Sequence, residues 1–198
     1  MSLLSEVTVL AVDTETTGMD PAVGARLVEV AHVRIAAGAL AEEWSSLVKP
    51  GVPIPIEASR VHGIVDTMVA DAPAMAEVGR TWRAALADHP LVFHNAPFDL
   101  PFLVALCEDG AQPRLTNPII DTLGLARGLF SVGGNSLGAL AQRLQLPAEQ
   151  AHRALGDTRT TARLLILLAE RWEREKGIRS LDELAAVSLD VMRATARR

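Results

Sequence analysis

Apolar stretches separated by short polar connections predict the strands of this chain. Residues 6–13, 26–35 and 40–48 are rich in Val, Leu and Ile and are joined by polar or Gly-containing segments, which indicates three successive strands. LVFHNA at 91–96 predicts a fourth strand, and NPIIDTLGLARGLF at 117–130 predicts a short strand that leads into a helix. The pattern therefore predicts a meander of three strands that opens an α/β protein.

Helical spacing of apolar residues predicts the remaining elements. The segments with this spacing are 53–64, 73–89, 98–110, 136–146 and a longer one from about 154 to 176. Gly177 ends the long helix, and Ser180 with Glu183 then matches a capping box at the start of a last helix. That helix carries an apolar stripe and ends in arginines that suit a helix C-terminus: Leu184, Val187, Val191, Arg193, Arg197 and Arg198.

This arrangement predicts one main domain with a helical extension. We expect residues 1–176 to form the domain and residues 177–198 to form the extension, since the sequence has no linker or repeat that would divide the chain elsewhere. The last helix could pack on its own domain, or it could dock a partner or a second copy of the chain. Both interpretations are open at this point.

Composition narrows the class of protein. The chain has 198 residues, 49% of them hydrophobic, and a single cysteine, Cys107, which excludes an intrachain disulfide and suits a reducing, cytoplasmic location. The first twelve residues are apolar, but they have no basic leader and run into Asp13, so we expect neither a signal peptide nor a membrane span. The net charge of −5 argues against broad adhesion to nucleic acid, but it permits a small metal-dependent site.

Two acidic residues follow the first apolar stretch. In AVDTETTG, Asp13 and Glu15 are two residues apart, so on a strand they project to the same face. Carboxylate pairs at strand ends hold Mg²⁺ or Mn²⁺, because these cations prefer oxygen ligands. An acidic surface loop would give the same short pattern, so the pair alone does not decide.

Two further segments carry groups suited to hydrolysis. HNAPFD places Asp99 at the start of a helix, and HRALGD places His152 five residues before Asp157 at the start of another. Each acid could simply stabilise a helix N-terminus. Together, however, four acids and a histidine from three segments suit two-metal phosphodiester hydrolysis, with the histidine as a base near neutral pH.

These three segments, in this order, resemble the motifs of the DEDDh, or DnaQ-like, 3′→5′ exonucleases of the RNase H-like superfamily. The family includes the proofreading epsilon subunit of bacterial DNA polymerase III. VDTETTG, HNAPFD and HRALGD resemble the three motifs, and VHGI, IDTLGLAR and NSLGALAQRL resemble family features between them. The resemblance covers about residues 6–175 and implies an RNase H-like α/β fold, with a mixed central sheet of about five strands flanked by helices.

The resemblance also implies roles for individual residues. Asp13, Glu15 and Asp157 would bind two divalent ions, Mg²⁺ or Mn²⁺, with Asp13 between them and Asp99 on the more open ion. His152 would be the general base. The residues expected at the terminal nucleotide are Thr16, Thr17, Gly18, His62, Asn95 and Phe98, although His62 and Phe98 could equally be structural. Arg153 and Arg159 could meet phosphate.

The expected activity is release of nucleoside monophosphates from single-stranded 3′ ends, in DNA proofreading or repair, beside a polymerase partner. An RNA-trimming enzyme of the same family would share the motifs. Two alternatives come from other classes of protein. One is a noncatalytic module that binds nucleic acid or a polymerase, and the other is a phosphatase that acts on small phosphate esters.

Overall fold

The computed structural model describes residues 3–196. Its strands are β1 (Thr8–Thr16), β2 (Leu27–Ala36), β3 (Ala39–Leu47), β4 (Leu91–Phe93) and β5 (Ile119–Asp121). Its helices are α1 (Ile56–His62), α2 (Asp66–Val69), α3 (Met75–Leu86), α4 (Ala96–Asp109), α5 (Thr122–Leu129), α6 (Leu137–Arg143), α7 (Ala154–Lys176) and α8 (Leu181–Ala196), with a short 3₁₀ turn at Pro21–Val23.

The strands form one mixed sheet in the order β3-β2-β1-β4-β5. The first three strands are antiparallel neighbours, and β1, β4 and β5 run parallel to one another. This confirms the predicted α/β architecture with a five-stranded mixed sheet between helices. The strand β1 lies at the centre of the sheet, so both of its edges are paired with neighbouring strands.

Alternate residues of β1 serve two separate cores. Val9 and Ala11 pack in a core that also takes in residues of α5, α6, α7 and α8, whereas Leu10 and Val12 pack in a core with residues of α3 and α4. All four side chains are at most 1% exposed. The period of two along a strand therefore directs one set of side chains toward α7 and the other toward α4.

Two predicted strand ends differ from the structure. The first strand was expected to end at Asp13, but β1 continues to Thr16, because its pairing with β2 extends past the acids to Glu29 and Leu27. A bulge between Glu15 and Thr16 interrupts the register at this point. The fourth strand is shorter than expected, since β4 ends at Phe93.

The chain leaves β4 early because Asn95 adopts φ +81°, a left-handed conformation that cannot continue a strand. His94 and Asn95 therefore lie in the connection to α4. His94 is half-buried, with its two ring nitrogens 2.9 Å from Thr122 Oγ1 and 2.9 Å from the Asn135 carbonyl oxygen.

The last helix packs on the sheet edge formed by β5 and on α5. Leu184 and Ser188 are fully buried there. Ser180 Oγ accepts a hydrogen bond from Glu183 N at 3.2 Å, and the Glu183 carboxylate accepts one from Arg179 N at 2.7 Å, one residue earlier than in the predicted capping box. The predicted cap by Arg197 and Arg198 lies outside the described residues. Among residues 3–196, no helix combines the length and the apolar composition needed to cross a membrane.

Candidate active site

Three carboxylates from two elements meet at the end of β1. One carboxylate oxygen from each of Asp13, Glu15 and Asp157 can be chosen so that all lie within 4.8 Å of one another. Asp13 and Glu15 share the face of β1 that is turned toward α7, and Asp157 is in the first turn of α7. The sequence prediction that β1 and the third motif meet in space is therefore correct.

Asp99 reaches the same strand from its other face. Its Oδ1 accepts a hydrogen bond of 2.7 Å from Thr14 Oγ1, and its side chain is 4% exposed in the first turn of α4. Thr14 lies between Asp13 and Glu15 and points to the opposite side of the sheet. The structure thus brings all four predicted acids to the end of β1, with three in one cluster and Asp99 beside it.

The carboxylates hold their protons more tightly than ordinary acids. Burial, followed by repulsion from Asp99 and Glu15, raises the pKa of Asp13 well above its usual range. Burial, followed by the charges of Asp157 and Glu29, raises the pKa of Glu15 to about 8. Burial also raises the pKa of Asp157, against the hydrogen bond from the His152 backbone.

The pKa of Asp99 rises to about 7 through burial, which outweighs the opposing hydrogen bonds from Thr14. Buried acids with raised pKa values indicate a site that lacks compensating positive charge.

This donor set fits divalent cations. Hard cations such as Mg²⁺ and Mn²⁺ take carboxylate oxygens as ligands, and their charge would compensate for the burial and repulsion that raise these pKa values. Within the described part of the chain, no lysine or arginine forms an ion pair with Asp13, Glu15 or Asp157. We therefore interpret the cluster as a divalent-metal site.

His152 stands at the edge of the cluster. Its backbone N–H donates to Asp157 Oδ2 at 2.9 Å, and its side chain is exposed to solvent. Its φ of +57° is left-handed, a conformation that is uncommon for a residue other than glycine and that suggests a constrained position. This hydrogen bond therefore holds the backbone of His152 next to Asp157.

An open pocket of about 320 Å³ adjoins the cluster and shares Glu15 with it. Five of the six residues expected at a terminal nucleotide line this pocket: Thr16, Thr17, Gly18, His62 and Phe98. The sixth, Asn95, is exposed at the start of α4 and is outside this lining.

Two lining residues have structural contacts as well. His62 is 4% exposed, and its Nδ1 accepts from Ile64 N at 3.0 Å. Phe98 is half-buried, with its ring centroid 5.7 Å from that of Phe102. Each of these two side chains therefore packs against neighbouring residues and also lines the pocket.

Comparison with known proteins gives the family. The RNase T exonuclease family model matches residues 10–165. The chain belongs to this exonuclease family. Family, fold and enzyme class are thus as the three motifs predict: a DnaQ-like 3′→5′ exonuclease.

Individual relatives agree with this assignment. A DNA polymerase III subunit epsilon-like protein of Rhodobacter capsulatus is 44% identical over 170 residues, which is 83% of this chain and 24% of the relative. The PolC-type DNA polymerase III of Bacillus subtilis is 37% identical over 184 residues, 92% of this chain and 13% of the relative. The exonuclease thus spans about a quarter or less of these two relatives.

Solved structures give the same fold. Exonuclease X in complex with 5′ overhanging duplex DNA is 29% identical, with a TM-score of 0.72, and the match covers 91% of this chain and 99% of that one. Escherichia coli Exonuclease I in complex with a dT13 oligonucleotide gives a TM-score of 0.76 at 18% identity, with coverage of 87% and 43%. The second likeness supports the fold alone.

A buried ion pair that the sequence motifs do not predict supports the candidate site. Glu29 on β2 lies opposite Glu15 and is 3% exposed. Its carboxylate accepts from Arg153 Nη2 at 2.7 Å, from Arg153 Nε at 3.0 Å and from Ala154 N at 2.9 Å. This bidentate pair fixes the residue that follows His152 and the first turn of α7. The sequence feature that points to this ion pair is the single acid, Glu29, in the apolar segment LVEVAHV.

The two arginines expected near phosphate have carboxylate partners in the structure. Arg153 binds Glu29, and Arg159 binds Glu43 and Glu149. Glu149 also pairs with Arg163, so the connection before His152 is tied to α7 at two places. The arginines therefore order the loop that carries His152 rather than standing free for substrate.

Gly156, in the segment HRALGD, is a second residue that supports the candidate site. A Cβ atom at this position would lie 2.1 Å from the carbonyl oxygen of Gln150. The connection before His152 packs directly on the first turn of α7, and only glycine leaves room for it. The motif HRALGD thus needs its glycine for a close backbone approach.

We expect Gly156→Ala to lower exonuclease activity at least tenfold, because the added methyl group must push the Gln150 segment, and with it His152, away from Asp157. Gly138→Ala is the matched control, since Gly138 is also helical and has no atom within 4 Å of a new Cβ. Initial rates on a labelled oligonucleotide measure the effect. Equal rates in the two variants would contradict the close approach.

Proposed function

We propose that this exonuclease removes nucleoside monophosphates from the 3′ end of single-stranded DNA, in proofreading or repair. The observation that supports this most directly is the pocket of about 320 Å³ that shares Glu15 with the carboxylate cluster. A terminal nucleotide held in the pocket would place its phosphodiester bond next to the cluster. The relatives named as DNA polymerases, and the DNA-bound exonuclease structures, favour DNA over RNA.

Asp13, Glu15 and Asp157 would hold two divalent ions, with Asp13 between them, and Asp99 would complete the more open position directly or through water. Such ions stabilise charge on the attacking and leaving oxygens of an in-line displacement. Asp99 is restrained for this role by Thr14. All of these donors are carboxylate oxygens, which suit either Mg²⁺ or Mn²⁺.

His152 would be the general base. Its exposed ring can exchange its proton with solvent between turnovers, while its backbone bond to Asp157 keeps it at the edge of the cluster. A histidine suits proton removal from water near neutral pH. The left-handed backbone at this residue lets the chain turn from the loop into α7 without carrying His152 away from Asp157.

The pocket suits a nucleotide of any base. Its lining is largely apolar, and Phe98 offers a partly exposed aromatic face for stacking, which tolerates different bases. Thr16, Thr17 and Gly18 border the pocket where β1 ends, so their backbone can approach the sugar and phosphate. His62, the last residue of α1, also lines the pocket.

The relatives also suggest a setting. Proteins named as PolC-type polymerases contain a region like this chain, and the Rhodobacter relative is named epsilon-like. We therefore propose a polymerase as partner, and with it a cytoplasmic location. A homodimer through the last helix is a weaker proposal, since α8 already packs on β5 and α5.

Digestion of matched DNA and RNA oligonucleotides, single-stranded and paired, tests the proposal. With Mg²⁺ and a 5′ label, we expect single-stranded DNA to shorten stepwise from its 3′ end with release of nucleoside monophosphates. Faster loss of RNA would instead support the RNA-trimming alternative. Metal binding without shortening of any strand would support a noncatalytic module, and hydrolysis of small phosphate esters alone would support a phosphatase.

A further inference from the structure

The start of α4 is held by Asp121, the last residue of β5. Asn95 occupies the cap position of this helix, but its φ of +81° comes without a hydrogen bond from its own side chain to the helix. The free N–H groups are satisfied by Asp121, whose Oδ1 accepts from Asn95 N at 3.1 Å and whose Oδ2 accepts from Ala96 N at 2.9 Å. Asp121 is 0% exposed at the end of β5.

The same carboxylate caps a second helix. Asp121 Oδ1 also accepts from Leu123 N at 2.9 Å and from Gly124 N at 3.4 Å, the first backbone groups of α5. One buried side chain therefore satisfies four backbone donors from two helices. Charged acceptors form the stronger hydrogen bonds, so this carboxylate fixes where both helices begin.

The position of α4 matters because Asp99 lies in its first turn, three residues after Ala96. A displacement of the helix start would move Asp99 relative to Thr14 Oγ1, which now lies 2.7 Å from its carboxylate. Asp121 thus acts on the acidic cluster through Asp99 without touching the cluster itself.

The C-terminal helix reaches Asp121 directly. Ser188 Oγ on α8 accepts from Asp121 N at 3.0 Å and donates to Ala185 O at 2.8 Å, and Ser188 is 0% exposed. Gly124 lets α8 come this close, since a Cβ there would lie 2.0 Å from the Ser188 carbonyl oxygen. Ser188 and the rest of α8 lie beyond residues 10–165, which match the family model, whereas Asp121 and Gly124 lie within them.

We propose that Asp121 is a positioning residue for Asp99, and that α8 supports it through Ser188. The helix α8 is then joined to the catalytic unit through Ser188 rather than being a separate appendage, and exonuclease activity depends on this contact. This inference rests on the proposed function, because it assigns Asp99 to the metal site.

Two alanine variants of the same helix separate positioning from stability. Ser188→Ala removes the hydroxyl that meets Asp121, whereas Ser180→Ala removes the hydroxyl that caps α8 and does not touch Asp121. Both should lower the unfolding midpoint. Only Ser188→Ala is expected to reduce kcat on single-stranded DNA, by about tenfold, with KM within about twofold of the parent, because Asp99 shifts while the nucleotide pocket stays intact.

Calorimetric titration with Mn²⁺ gives a second readout that needs no DNA. We expect Asp121→Asn to weaken Mn²⁺ binding about tenfold and Ser188→Ala to weaken it by less, with Ser180→Ala at the parent value. If Ser188→Ala and Ser180→Ala lose activity equally and all three variants bind Mn²⁺ like the parent, the positioning role is wrong. A parent protein that binds Mn²⁺ but leaves DNA intact would instead contradict the proposed function.

Discussion

Asp13→Asn is expected to abolish exonuclease activity while leaving the protein folded. Asp13 shares the cluster with Glu15 and Asp157, and after burial the repulsion from Asp99 contributes most to its raised pKa, so it lies near all the other acids. The amide keeps the size of the side chain but loses the negative charge that two cations would share. We expect kcat to fall at least about 10³-fold, equivalent to about 4 kcal/mol of transition-state stabilisation.

The stability of this variant distinguishes a functional acid from a structural one. In metal-free protein near pH 8, removal of one of several buried like charges should raise the urea midpoint rather than lower it. The expected combination is therefore an inactive protein that unfolds later than the parent. Loss of the folded state in Asp13→Asn would mean that the acid holds the fold, and the metal-site interpretation would then fail.

The metal-free protein should become less stable as pH rises. Glu15 has a pKa of about 8 in the folded protein against an ordinary value of 4.5, so between these pH values the folded state binds more protons than the unfolded state. Stability from this group is fully present below its ordinary pKa and is lost as pH rises through the folded value. Asp99, with a pKa of about 7, acts in the same direction.

Urea unfolding with a chelator at pH about 5.5 and about 8.5 measures this effect, and we expect a loss on the order of 3 kcal/mol at the higher pH. Saturating Mg²⁺ should restore stability at the higher pH and have little effect at the lower one, where protons compete for the carboxylates. Glu15→Gln should reduce the pH dependence and leave the part due to Asp13 and Asp99, whereas Glu175→Gln, an exposed change on α7, should leave it unchanged. If the metal-free protein were instead more stable at the higher pH, burial and repulsion could not be raising the pKa values of these carboxylates.

Local patterns in the sequence were enough to find the acids but not the groups that hold them. Asp13, Glu15, Asp99 and Asp157 stand in short motifs, and the period of two along β1 predicted correctly that the first pair shares a face. The end of β1 was misplaced because a charge looks like a strand end, while the ladder with β2 continues past it. Hydrogen bonding between strands, which the sequence does not display, decided the boundary.

The supporting groups escaped because their partners are far away along the chain. Glu29 and Arg153 are 124 residues apart, and Asp121 and Ser188 are 67 apart. Each looks ordinary among its own neighbours, and the contact exists only after the chain has folded. A phosphate contact for Arg153 and Arg159 was left open for the same reason, since nothing near them in the sequence shows a carboxylate partner.

The division of β1 between two helices has a consequence for sequence change in this enzyme. Odd-numbered positions near its end face α7 and carry the carboxylates, whereas Thr14 faces α4 and holds Asp99. A single residue inserted or deleted within the strand would exchange the two sets, placing threonines where cations should bind and burying carboxylates against α4. The alternation within this strand, as well as its acidic residues, therefore decides whether the carboxylates reach one another.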